Sequence, residues 1–131
     1  MTKPIKISVT LPVRPNKLYK AWLDSEKHSA FTGEKAQIER KVGSRFTAFD
    51  GYIEGENVEL LFNKKIVQTW RTNEFPEDQP DSRLEINFNE VKDGTKVTIV
   101  HADLPEGDTK KYRQGWKEHY FEPMKNYFGK D

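Results

Sequence analysis

Apolar and polar residues alternate over Ile5–Leu11, with Lys6, Ser8 and Thr10 separating Ile5, Ile7, Val9 and Leu11. A period of two predicts a strand with one buried face. Pro12 ends it. Pro15 sits where the first turn of a helix needs no amide donor, and Leu18, Tyr19 and Trp22 follow at helical spacing. Ser25 is placed to cap a second short helix, which carries Phe31 and stops at Gly33. The period then returns to two: Ala36, Ile38, Arg40 and Val42 alternate with Gln37, Glu39 and Lys41, predicting a strand. Further strands are predicted over Arg45–Phe49, Tyr52–Asn63 and Ile66–Arg71. Two more run around Leu84, Ile86 and Phe88 and around Val97, Ile99 and His101. Turn signals separate them, among them Gly43-Ser44, Asp50-Gly51, Lys64-Lys65 and Asp93-Gly94.

This order defines an α+β chain. A strand comes first, two short helices follow, then a run of consecutive strands, then one long C-terminal helix. Strands joined by tight turns pair antiparallel, and a sheet of about six to seven such strands twists and curls. One long amphipathic helix then covers the concave face, which is a helix-grip arrangement. The 131 residues suit a single domain, 1–131.

The long helix is dense in aromatics. On a helical wheel Tyr112, Trp116, His119, Tyr120, Pro123 and Tyr127 share one sector, with Met124 at its edge. Gly115 interrupts the helix at a cost of about 1 kcal/mol relative to alanine. Either a strand approaches closely there, or space is left for a bound molecule. Pro123 removes a helical hydrogen bond and predicts a kink. Phe121 and Phe128 fall off the main sector. They pack beside the short N-terminal helices or form a patch for a partner.

Composition narrows the chemistry. There is no cysteine, so disulfides, thiolate metal sites and cysteine nucleophiles are excluded. Charged residues make up 33% and the net charge is +1, which argues against nucleic-acid binding driven by net charge. The N-terminus lacks the apolar run of a signal peptide, and no stretch nears the roughly 18 apolar residues of a membrane span. The expectation is a cytoplasmic monomer or homodimer with no membrane insertion. Aromatic residues reach 12% against 34% hydrophobic overall. A core built from few, large side chains permits a cavity without requiring one.

Four stretches carry a family likeness: "FDGYIEG" at 49–55, "IVQTWR" at 66–71, "DGTKVTIVHADLP" at 93–105 and "RQGWKEHYFEPMKNYF" at 113–128. In this order and spacing they resemble the activator of heat-shock-protein-90 ATPase homologue family, within the START/birch-pollen-allergen-like superfamily. The likeness runs from about Ile5 to Phe128, and Gly115-Trp116…Tyr120-Phe121 is its most specific part. It implies the helix-grip fold. It also implies two roles: a cavity for a small hydrophobic or amphipathic molecule between sheet and helix, and a heat-shock-protein-90 chaperone as partner. In the eukaryotic co-chaperones of the family a separate N-terminal domain makes most of the chaperone contact. No counterpart is expected ahead of Met1. Cyclases and dehydratases occur in the superfamily, so an enzyme is a further alternative.

The candidate cavity wall comprises Trp22, Phe31, Ile38, Phe46 and Trp70, continued by Phe88, Ile99, Trp116 and Tyr120. Arg40 shares the period-two set of Ala36 and Ile38, and either meets an anionic head group or lies at the rim. His101 shares a strand face with Val97 and Ile99. It is either bonded within the core or a polar contact for a ligand. His28 is expected on the surface, and His119 borders the inward helix face. No histidine pair has metal-ligand spacing, and no nucleophile elbow or phosphate loop occurs, so neither a catalytic residue nor a cofactor is expected.

Overall fold

The computed structural model describes residues 4–129. The first alternation becomes strand β1 (Ile5–Leu11). Helix α1 (Pro15–Trp22) has Pro15 in its first turn, and helix α2 (Ser25–Thr32) ends at Gly33 in the left-handed conformation. The cap of α2 is Asp24 rather than Ser25, its carboxylate accepting the Lys27 amide. Strands β2 (Arg45–Ala48), β3 (Ile53–Leu61), β4 (Lys65–Thr72), β5 (Ser82–Val91) and β6 (Gly94–Ala102) follow. They join β1 in one curved antiparallel sheet, ordered β1–β6–β5–β4–β3–β2. The chain ends in a helix of 20 residues. It is built from α3 (Thr109–Trp116), a π-helical turn (Lys117–Phe121) and α4 (Glu122–Phe128).

Register sets the buried face. Ile5 pairs with His101, which pairs with Leu84, which pairs with Gln68, which pairs with Asn57. Residues paired across a ladder point to the same side. The row therefore crosses the concave face, and all five residues are buried. Ile7, Ile99, Ile86 and Ile66 form the next row. On the opposite face Lys6, Lys96, Arg83 and Asn89 meet solvent.

The alternation over Ala36–Val42 does not become a strand. Only Gln37 makes a ladder contact, an isolated bridge to Thr47. Side chains take several of the other backbone groups. Ser25 Oγ accepts the Ile38 amide at 2.8 Å and donates to the Ile38 carbonyl at 3.0 Å, and Ser29 Oγ accepts the Ala36 amide. Asn57 Nδ2 donates to the carbonyls of Glu39 and Lys41. The segment runs along α2 and the rim of β3, held as a strap.

The π turn corrects the helical wheel. The Glu122 amide bonds to the Lys117 carbonyl five residues back, so one extra residue enters the helix just before Pro123. That residue advances the phase of everything after it by about 100°. The inward face passes from Tyr112, Trp116 and Tyr120 to Phe121, Met124 and Phe128, all buried. Tyr127, placed inward by a regular wheel, is 44% exposed. Phe121 and Phe128 are thus not a partner patch. The α4 segment packs on α2 and β1, with the Phe128 ring 5.7 Å from that of Phe31.

Two glycines contrast sharply. A Cβ on Gly55 would sit 1.9 Å from the Thr69 carbonyl oxygen and 2.7 Å from Phe46 Cε1. A Cβ on Gly115 would meet nothing within 4 Å, which removes close strand approach as the reason for that glycine. Gly55→Ala should cost about 3 kcal/mol, the upper part of the range for overpacking. Gly115→Ala should stabilise by up to about 1 kcal/mol through helix propensity. Urea unfolding of the two variants tests this ordering, and equal effects would contradict it.

Candidate functional site: two buried imidazoles and an aromatic pocket

Trp116 projects from α3 onto the sheet and donates its indole Nε1–H to His101 Nδ1 at 2.9 Å. A nitrogen that accepts carries no proton, so His101 bears its hydrogen on Nε2. That nitrogen lies 2.8 Å from Ser82 Oγ, whose own hydrogen goes to the Trp70 carbonyl. His28 has the opposite tautomer. Trp22 ends α1, and its carbonyl has no partner further along that helix. His28 Nδ1–H supplies the donor at 2.8 Å. His28 Nε2 then accepts from the Tyr120 hydroxyl at 2.9 Å. The ring is buried between Trp22, Phe31 and Tyr120 rather than lying on the surface.

Burial disfavours the imidazolium in both rings. It pulls His101 down to about 3. It pulls His28 down to about 4, against a smaller opposing effect of the Trp22 carbonyl. Burial also pushes the Tyr120 hydroxyl far above the ordinary phenol range. All three groups are uncharged at neutral pH.

Beside these relays, a pocket of about 350 Å³ opens between the C-terminal helix and the β2–β4 side of the sheet. Trp70, Tyr112, Trp116 and Tyr120 form its inner wall. Phe49, Tyr52 and Ile53 close the sheet side, and Glu34, Gly115 and His119 stand at the mouth. The rings touch in series. Phe49 lies 5.4 Å from Tyr120, Tyr120 4.7 Å from Trp116, Trp116 5.7 Å from Trp70, and Trp70 5.5 Å from Tyr112. Phe49 reaches this chain of rings from the β2–β3 turn with φ of 52°, a conformation uncommon for a bulky residue.

Of the residues singled out in the sequence, Trp70, Trp116 and Tyr120 line this pocket. Trp22, Phe31, Ile38, Phe46, Phe88 and Ile99 are buried in the core and stand outside the lining. Phe88 packs edge-on against Tyr19 instead. Arg40 is exposed, because the strap is not a strand and its alternation turns nothing inward. His101 supports the wall from behind, with both ring nitrogens already bonded to protein. The sequence reading missed Phe49, Tyr52 and Tyr112 as wall residues. Tyr112 was visible on the inward helix sector. Phe49 and Tyr52 flank the Asp50-Gly51 turn, whose left-handed backbone rotates an aromatic toward the helix.

Sheet, gripped helix and intervening pocket together define a helix-grip fold. The family described as Activator of Hsp90 ATPase homolog 1-like protein matches residues 12–129, and the chain belongs to it. The human "Activator of 90 kDa heat shock protein ATPase homolog 1" is 30% identical over 128 residues, spanning 98% of this chain and 38% of its own length. The Dictyostelium discoideum activator is also 30% identical, spanning 97% and 33% respectively. The chain therefore covers under two fifths of these relatives. A solved HSP90 activator from Plasmodium falciparum superposes with a TM-score of 0.89 at 26% identity, covering 98% of this chain and 97% of that one. The Aha1 dimer from Colwellia psychrerythraea shares the fold, with a TM-score of 0.81, 17% identity and 97% of both chains covered. No helix among the described residues is long and apolar enough to cross a membrane.

The two imidazoles predict a pH dependence. Each has a folded value below the unfolded reference of about 6.5, so between those values the unfolded chain binds more protons. Stability should be full above about pH 6.5 and decline on acidification through that window, by up to about 1.4 kcal/mol per pH unit for each ring. Urea unfolding from about pH 7.5 to about pH 5 should show the decline before most carboxylates titrate. Histidine-ring NMR should report a proton on Nδ1 of His28 and on Nε2 of His101. A flat profile, or either ring titrating near its reference value, would contradict the relays.

Proposed function

We propose that this chain is a binding module that holds a small apolar or amphipathic molecule between sheet and helix. One observation carries the reading. The pocket keeps about 350 Å³ open beside Gly115, inside a wall of aromatic rings. That volume lies in the lower part of the roughly 300–1,000 Å³ range of small-molecule sites. A chain that needed only a plugged core would gain by filling it, since voids lose packing energy. Gly115 in mid-helix, where alanine would be favoured and would meet no neighbour, fits the same reading.

The test uses the two tryptophans of the wall. Apolar and amphipathic probes of about ten to twenty heavy atoms should perturb the indole signals of Trp70 and Trp116 and bind with micromolar or better affinity, about −8 kcal/mol. Gly115→Leu places a branched side chain at the mouth. It should weaken binding by at least about tenfold, or 1.4 kcal/mol, while leaving thermal stability intact. Unchanged binding in that variant, or no binding by any probe, would reject the module.

The names of the relatives support a second reading, in which the chain acts on a heat-shock-protein-90 chaperone. Saturating protein should then raise the ATPase rate of the chaperone from its own cell. The gain should be smaller than a full-length relative gives, because the chain spans only 38% of such a relative. No stimulation together with no co-sedimentation would remove this reading.

A further inference from the structure

Four polar groups of the aromatic wall are engaged by the protein itself. Tyr120 donates its hydroxyl hydrogen to His28, and Trp116 donates its indole hydrogen to His101. The Tyr112 hydroxyl bonds with Thr72, and the Tyr52 hydroxyl donates to the Glu74 carboxylate. What these four residues have left for a guest is π surface. A neutral polar guest finds few hydrogen-bond partners there. A guest that is polar but needs none finds the negative quadrupoles of six aromatic rings.

Charge around the site points the same way. Glu34 stands at the mouth, and no lysine or arginine lines the pocket. Glu74 lies behind Tyr52, where accepting the phenolic hydrogen enriches that ring in electron density. Lys111, one residue before Tyr112, has its ammonium 2.8 Å from Glu74 and 5.3 Å from the centroid of the Tyr112 ring. Its charge is thus paired outside the wall, and its position shows that a ring of this wall already accepts a cation.

We infer that the pocket is an aromatic cage for an organic cation of the quaternary ammonium class, closed by Phe49, Tyr52, Trp70, Tyr112, Trp116 and Tyr120 with Glu34 at the mouth. Such ions carry no N–H group, so engaged hydroxyls cost them nothing, and aromatic faces attract them. The inference rests on the binding-module reading and adds the charge of the guest.

Choline and its uncharged carbon isostere, 3,3-dimethylbutan-1-ol, differ at the central atom alone and separate charge from shape. Titrated against the indole NMR signals of Trp70 and Trp116, choline should bind at least about tenfold tighter than the alcohol. Tyr52→Leu, at the half-buried rim, should cut choline affinity by about fivefold and leave the alcohol within about twofold. Glu34→Gln should reduce choline binding by about threefold, and less at high salt. Equal or tighter binding of the alcohol would overturn the cage while leaving a pocket that takes apolar guests. Silence from both, with the apolar probes still binding, would overturn the cage alone. Silence from every probe would remove the cage and the binding module together.

Discussion

The C-terminal helix can be buried because two neutral imidazoles complete its hydrogen bonds. Trp116 and Tyr120 are large and apolar over most of their surface, but each ends in a polar group. A buried indole N–H or phenolic O–H without a partner costs about 1–3 kcal/mol. His101, fixed on β6 and oriented by Ser82, accepts the first, while His28, held to the end of α1, accepts the second. One relay ties the helix to the sheet and the other ties it to the N-terminal helices. Each ring accepts at one nitrogen and donates at the other, and the two histidines do so in opposite tautomers. The relays also decide what the pocket offers, because they draw the polar ends of its wall away from the cavity.

The π turn solves a geometric problem set by the same helix. Its first half must face the sheet and the pocket, and its second half must face α2 and β1. A regular helix presents one stripe. Inserting one residue at Lys117–Phe121 rotates the stripe, so Phe121, Met124 and Phe128 continue the core where Pro123 and Tyr127 would have stood. Pro123 lacks an amide to bond the His119 carbonyl, and the wider turn directly before it accommodates that loss.

Much of the sheet was legible from period-two alternation, and β1, β5 and β6 lie where it placed them. Alternation misled at Ala36–Val42, where serine hydroxyls and an asparagine amide replace a strand partner. Pattern alone cannot distinguish those two sources of hydrogen bonds. Phe121 and Phe128 pack toward the N-terminal helices, one of the two readings the wheel allowed, but Tyr127 was misplaced inward because no periodicity rule announces a π turn, although Pro123 marked the place. His28 read as a surface residue among polar neighbours. Its burial depends on the free carbonyl of Trp22 and on Tyr120, the latter 92 residues away. The helix side of the pocket was legible in the aromatic run. The sheet side depends on the backbone twist at Phe49, which the sequence signals only as a turn.

The strap over residues 36–42 also covers one margin of the sheet. β2 is a four-residue terminal strand, the kind of open ladder that recruits a foreign strand. Gln37 exchanges both backbone hydrogen bonds with Thr47, at 3.0 and 2.9 Å, and so occupies the outward groups at the middle of β2. The serines of α2 hold the strap there, so a helix guards the margin of a sheet it barely touches. A polypeptide seeking to extend the sheet by strand addition must first peel that strap away from α2.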